Sequence, residues 1–386
     1  VTHLDVLREV EQRGLSLTVA GSDLKLQGPR QRVDADLVAR IRSVKPQLIE
    51  YLTAALTARE NGFGLTLLQR GYLIGRGDSV EIGNIASHVY HEYDGHWDID
   101  RLESALRMVV ARHGMLRTCF TDDGRQVTRP EADARVGRLD LRGQPLDEQQ
   151  SRLSALREER SHRMLPLDRA PMIAVDVTLL SDDLMRLHVS TDGLVLDGIS
   201  MFMFFIDWWQ CYTSGGAPAG EDLPFADYVG WLEAERDQPP ARRSRDYWLD
   251  RLDDLPPRPG LPLRANPATI TRPRFAQYAA KLDQEKWARL KARAASAGLT
   301  PTAVLMAAYA QTLARWGAGS RFTLTTTVAN RPPIHPGIAG ALGNFSSTLL
   351  VEIGIDPGQT FTERAQALKP GCAVTWTTGT SQGSRC

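Results

Sequence analysis

Leu15, Leu17 and Val19 alternate with polar residues, Gly21-Ser22-Asp23 breaks the run, and Leu24 and Leu26 resume the alternation. That period of two, split by turn-forming residues, predicts a β-hairpin. On both sides the apolar period lengthens to that of a helix, with Leu4, Leu7 and Val10 before the hairpin and Leu37, Ile41 and Val44 after it. Pro46 ends the second helix and suits the first turn of a third, which carries Leu48, Ile49 and Leu52. Residues 1–57 therefore read as a small α-β-β-α-α unit. Its core is small enough that a partner or a second copy would help to stabilise it. Residues 58–63 are polar and glycine-bearing and read as a linker.

Beyond the linker, strand-like and helix-like patterns are interleaved. Residues 85–93 predict a strand, and 99–112 a helix with Leu102, Leu106, Val109 and Val110 inward. Asp122-Asp123-Gly124 after Cys119-Phe120 predicts a hairpin turn. Residues 172–180 and 184–191 predict two strands joined by a polar turn, and 199–209 a helix. Residues 287–297 and 301–316 predict helices, and 321–329 a strand. Pro239-Pro240 and the proline-rich stretch 255–267 mark the expected crossing between two lobes, 64–238 and 239–368. The fold class is α/β.

Composition narrows the function by exclusion. Lys+Arg and Asp+Glu balance at 46 each, so no net field favours nucleic acid or an acidic membrane. The eight histidines and four cysteines form no metal-ligand spacing and no disulfide framework, and no metal site is expected. A cytoplasmic setting follows from the sparse cysteines. The longest apolar run, 201–209, is interrupted by Asp207 and is too short to span a bilayer.

Candidate chemistry concentrates in D-G-L-V-L-D-G-I-S, residues 192–200, where Asp192, Asp197 and Ser200 stand at spacings of five and three. Asp197 and Ser200 also fit a helix N-cap and first turn, and both readings can hold together. Asp192 ends an apolar strand, where an Asx-turn is the alternative to a site. A buried carboxylate at either place requires a cation or several donors.

This D-x-x-x-x-D-x-x-S pattern resembles the heterocyclization subfamily of nonribosomal peptide synthetase condensation domains. Further segments agree in order. G-F-G-L-T-L-L-Q-R-G-Y-L-I-G-R (62–76) is similar to the family's opening motif, with Gly64 for Pro and Gly71 for Ala. R-H-G-M-L-R (112–117) and L-P-P-R-P-G-L-P-L (255–263) match the next motifs. L-T-P-T-A-V-L-M-A-A-Y-A-Q-T-L-A-R-W (299–316) follows, then L-G-N-F-S-S (342–347), where Asn344 and Ser346 stand for the Asp and Thr of G-D-F-T. Residues 1–57 resemble the α-β-β-α-α docking domains that open some synthetase subunits.

The resemblance implies two chloramphenicol-acetyltransferase-like lobes in a V, the second incomplete here, with a tunnel reached by phosphopantetheine arms of partner carrier proteins. No cofactor is bound directly. The implied partners are an upstream synthetase or polyketide synthase subunit met through the docking domain, the upstream and downstream carriers, and a second copy of the docking domain. The implied reaction joins an upstream acyl group to carrier-bound Cys, Ser or Thr and closes a thiazoline or oxazoline with loss of water. Amide-forming relatives read H-H-x-x-x-D-G where this chain has Asp192-Gly193, so their histidine base is absent.

The resemblance also assigns residues. Asp192, Asp197, Ser200 and Asn330 form the catalytic candidate set, with architecture expected of the two aspartates more than proton transfer. Arg331 is expected to bridge to Asp197 and join the lobes; otherwise it is a surface strand-end arginine. The Asn330 amide is placed to hold a substrate carbonyl, or else it is a turn residue. Gln69, Tyr72, Asn344 and Ser346 are expected to line the substrate path, Gln69 and Tyr72 being equally good core-edge residues. Arg112, His113 and Arg117 are expected to brace their motif's loop. The family's last motifs, P-V-V-F-T-S and T-P-Q-V-x-L-D, do not occur in the sequence. The tail 369–386 is small, polar and aperiodic, and a shifted frame in GC-rich codons gives G-L-R-R-D-L-D-H-G-H-F-S-G-V. A frameshift or a premature end is therefore expected in the tail, with little or no cyclodehydration by the chain as it stands.

Overall fold

A computed structural model describes residues 3–217 and 223–368. The tail from residue 369, on which the frameshift expectation falls, lies outside the described residues. The N-terminal unit has the expected order: α1 (His3–Gln12), β1 (Ser16–Ala20), β2 (Asp23–Gln27), α2 (Ala35–Ser43) and α3 (Lys45–Asn61). Strands β1 and β2 pair antiparallel with Leu17 opposite Leu26. Val6, Val10, Leu15, Leu17, Leu37, Ile41 and Leu48 form a core of their own. Asp34 caps α2 by accepting from Leu37 N. The linker expectation is corrected, because α3 continues to Asn61 as one helix and meets the next segment at Gly62.

Next come α4 (Leu67–Gly75), β3 (His88–Gly95), α5 (Ile99–Arg112), β4 (Thr118–Phe120) and β5 (Gln126–Thr128). They are followed by β6 (Val136–Asp140), α6 (Leu146–Ser161), β7 (Ile173–Leu179), β8 (Met185–Asp192), α7 (Gly198–Ser214) and α8 (Phe225–Glu235). Strands β3, β8, β7 and β6 lie in that order in one sheet. The β3–β8 and β8–β7 pairs are antiparallel, and β7–β6 is parallel. Leu102, Leu106, Val109, Val175, Val189, Leu194, Phe204 and Trp208 belong to the core under this sheet, so α5 and α7 bury their apolar stripes there.

A polar layer lies on the sheet as well. His188 places Nδ1 2.6 Å from Tyr90 Oη and Nε2 2.9 Å from Thr178 Oγ1. Tyr90 Oη donates to Glu92 at 2.9 Å. Helix α6 supplies Arg157 to Glu92 and Arg160 to Asp176. Burial pushes the His188 imidazole down to about 4, with Arg160 adding to the effect and Glu92 opposing it.

The remaining elements are α9 (Pro239–Leu249), α10 (Gln284–Ser296), α11 (Pro301–Leu313), β9 (Arg321–Ala329), β10 (Ser346–Gly354) and α12 (Phe361–Ala367). Pro239-Pro240 opens α9, since a proline at the first helical turn gives up no hydrogen bond, and stands shortly after the division of the chain between Ala234 and Glu235. By contacts the chain divides into two compact units. The first holds the described residues up to Ala234 together with Ala329–Ser346, and the second holds Glu235–Val328 and the described residues from Ser347. Residues 329–346 therefore do not belong with 239–368 as expected. The physical reason is burial: Ile338, Ala341, Leu342 and Phe345 are part of the first unit's core. The second unit has a smaller core of its own around Ala307, Ala310, Phe322, Val351 and Ile353. Among the described residues, no helix is long and apolar enough to cross a membrane.

Candidate active site

The 192–200 segment leaves β8 as a buried turn and enters α7. Asp192 is 1% exposed. Its Oδ2 pairs with Arg76 Nη2, and its Oδ1 accepts from Leu194 N at 2.9 Å, closing the Asx-turn. Arg76 also donates to the Leu165 carbonyl at 2.9 Å. Arg76 ends the opening motif without a role of its own in the sequence, and the signal for it is the need of a buried Asp192 for a cation.

Gly193 is crowded by Ser87. A Cβ there would fall within 3.0 Å of the Cβ and carbonyl oxygen of Ser87 and press still harder on its hydroxyl. The Gly193 amide already donates to the Ser87 carbonyl.

Asp197 caps α7, its Oδ1 accepting from Ser200 N at 2.7 Å. Its Oδ2 accepts from Phe345 N at 3.0 Å and Ser346 Oγ at 3.4 Å. Arg331 Nη2 stands 3.5 Å from Oδ1. The Asp197–Arg331 contact is therefore made within the first compact unit, which corrects the expectation of a bridge joining two lobes. Arg331 makes closer contacts elsewhere. Nη2 donates to Ser200 Oγ at 2.6 Å, and Nη1 donates to the carbonyls of Ile338 and Ala341 at 2.9 and 2.8 Å. The guanidinium carbon sits 4.0 Å from the centre of the Phe345 ring, a cation–π geometry. Burial lowers the Arg331 pKa, and Asp197 opposes that shift.

Ser200 is fully buried. Its Oγ donates to the Gly343 carbonyl at 2.6 Å and accepts from Gly343 N at 3.0 Å and from Arg331. One donor and two acceptor sites are all that a hydroxyl has, so Ser200 ties α7 to residues 329–346 with nothing left over. Gly343 has to be glycine for the same packing, since a Cβ would lie 2.7 Å from Phe225 Cε2.

Asn330 and Asn344 differ in their commitments. Asn330 is half-buried; its backbone N–H donates to the Phe345 carbonyl at 3.0 Å, and its Nδ2 donates to Tyr228 Oη at 2.9 Å. Asn344 is buried, with Nδ2 donating to the Gly193 carbonyl at 2.6 Å, and its Oδ1 meets no donor among the described residues.

The remaining candidates sit outside this cluster or brace it. Gln69, fully buried, completes a capping box with Thr66 and donates from Nε2 to the Leu194 carbonyl at 2.7 Å and to Gln126 Oε1 at 2.8 Å. It supports the 192–197 turn from behind. Tyr72 is partly buried against the main core. His113 Nε2 lies 2.8 Å from Asp207 Oδ2, linking the end of α5 to α7. Arg117 donates to the carbonyls of Val110, Arg129 and Pro130, bracing its loop. Arg112 is the last residue of α5.

Comparison with known proteins places this geometry. The condensation-domain profile matches residues 65–372. Pyochelin synthetase PchF of Pseudomonas aeruginosa is 35% identical over 376 residues, which is 94% of this chain and 21% of that protein. Phenyloxazoline synthase MbtB of Mycolicibacterium paratuberculosis is 36% identical over 318 residues, 80% of this chain and 26% of that protein. The chain thus spans a fifth to a quarter of these relatives. The solved cyclization-docking bidomain of the EpoB synthetase from Sorangium cellulosum superposes with a TM-score of 0.76 at 35% identity, covering 94% of this chain and 75% of that one. With its paired-aspartate turn, its buried arginine and this likeness over nearly the whole chain, the protein belongs to the condensation-domain family, as a homologue of a nonribosomal peptide synthetase cyclization-docking bidomain.

Proposed function

We propose that the chain acts on two carrier-bound substrates and makes a thiazoline or oxazoline. The amine of a carrier-bound Cys, Ser or Thr attacks the upstream acyl thioester, forming the amide and releasing the upstream carrier's phosphopantetheine thiol. The new residue's thiol or hydroxyl then adds to the amide carbonyl, and one water leaves as the ring's C=N bond forms. Gly193 carries this reading. The histidine of the amide-forming relatives would have to grow from an α-carbon that has Ser87 against it. Likeness to a phenyloxazoline synthase and to a cyclization-docking bidomain supports the same reading.

In this scheme Asp192, Asp197, Ser200 and Arg331 hold the turn and residues 329–346 in register. Asn330 contacts the substrate through its carboxamide, and Asn344 and Ser346 flank it. Residues 1–57 receive the upstream subunit, whose carrier delivers the phosphopantetheine-bound acyl group. Bringing both thioesters together supplies proximity worth about 7–11 kcal/mol of barrier. Acyl-loaded and cysteinyl-loaded carrier proteins mixed with the chain, followed by intact mass, test the scheme. Amide less one water on the downstream carrier supports the scheme and overturns the expectation of little or no cyclodehydration. Amide alone identifies a condensing domain without cyclodehydration. No product in the presence of carrier binding identifies an assembly module.

A further inference from the structure

We infer that Tyr228, on α8, is a positioning residue for Asn330, fixing how that carboxamide is presented to substrate. The inference rests on the substrate-contacting role proposed for Asn330. The Tyr228 ring is 1% exposed and packs between Phe225, Trp231 and Phe345, with centroids 5.5, 6.2 and 4.7 Å away. A phenylalanine would fill that aromatic cage equally well, so packing does not account for the hydroxyl. A buried hydroxyl costs stability unless it finds a partner. The hydrogen bond recorded for Tyr228 Oη among the described residues is the one it accepts from Asn330 Nδ2 at 2.9 Å.

The bond has a directional consequence. A primary carboxamide can turn end for end about its last torsion with little change in shape, exchanging donor for acceptor. Tyr228 Oη can accept from Nδ2 or donate to Oδ1, so it ties down one end of the carboxamide and the plane of the group; with Nδ2 on the tyrosine, Oδ1 and the second Nδ2 proton are left for a ligand. The Asn330 backbone is held separately by its bond to the Phe345 carbonyl, so the tyrosine controls the side chain alone. Burial, reinforced by Asp197, pushes the phenol upward. It therefore stays protonated through the neutral range and is no candidate base.

Two measurements test the inference. In 15N-labelled full chain, the Asn330 side-chain NH2 signals, identified by their loss in Asn330→Ala, should move in Tyr228→Phe; unmoved signals overturn the inference whether or not the protein is active. With loaded carriers, Tyr228→Phe should slow product formation by about 3- to 10-fold, the range for one neutral hydrogen bond, at unchanged carrier KM. Added to Asn330→Ala it should produce no further loss, because the tyrosine acts through the asparagine. Multiplicative losses in the double variant would make Tyr228 a merely structural residue and overturn the inference. Wild-type chain that gives no product removes the proposed function but leaves the NMR result to decide the contact.

Discussion

Asp197 accepts hydrogen bonds from three separate segments: the start of α7 through Ser200 N, the 342–347 motif through Phe345 N, and the 330–331 turn through Arg331. Asp197→Ala removes the cap and strands a buried guanidinium, so a loss of about 3–5 kcal/mol is expected in urea unfolding. Asp197→Asn keeps an equally good cap and should lose distinctly less; equal losses would mean that charge carries the whole effect. Gly193 makes a second prediction at this scale. Gly193→His should not create a condensing base but should overpack the turn, costing about 1–3 kcal/mol and lowering soluble yield, with Ser87→Gly restoring part of it. A stable, more active Gly193→His would refute the steric argument. The aspartates, Ser200, Asn330 and Arg331 were legible as residues because they lie in short colinear motifs. Their partners Arg76, Ser87, Gly343 and Tyr228 were not. Ser87 and Tyr228 come from distant stretches with no marker in their own neighbourhood, and Arg76 and Gly343, although they lie inside motifs, are paired with the site only by packing.

The same contrast holds for elements. Helix α5 and strand β9 fall on their expected residues because apolar periodicity and end signals agree there. Helix α6 escaped notice because the face it buries carries Gln149 and Arg160 beside Leu153 and Leu156, which erases the apolar stripe. Gln149 donates to the Leu141, Gln144 and Leu180 carbonyls, while Arg160 serves the layer around His188. Its pKa is lowered from 6.5 to about 4 in the fold, so between those values the unfolded chain binds more protons than the folded one. Stability should fall as pH drops from 6.5 toward 4, and this contribution should be constant above 6.5. Burial also lowers His88 and His91, which adds to the same slope. Urea midpoints across pH 4–8 check it: His188→Gln, which keeps one donor and one acceptor, should flatten the acid limb. An unchanged limb would assign the slope to other groups.

At the scale of the molecule, the described residues form three separate hydrophobic cores, and the largest of them includes the 338–345 residues. Separate cores imply unfolding that is not two-state. Phe322→Ala, in the second unit's core, should lower one calorimetric transition by an amount corresponding to about 3–5 kcal/mol, and Leu116→Ala should move a different one. A single transition shifted by both would show that the cores melt together. The division into lobes was visible as proline-rich punctuation, but not the return of residues 329–346 to the first unit, since burial of Phe345 and Leu342 against distant residues has no local signal. That return governs synthesis as well as stability. Asp197 and Phe345 are 148 residues apart in sequence, and the whole run Glu235–Val328 lies between the halves of the first unit. On a ribosome adding about 5–20 residues per second, the buried carboxylate waits roughly 7–30 s for its partners to emerge. During that interval the apolar surface meant for Ile338, Leu342 and Phe345 is open on the nascent chain.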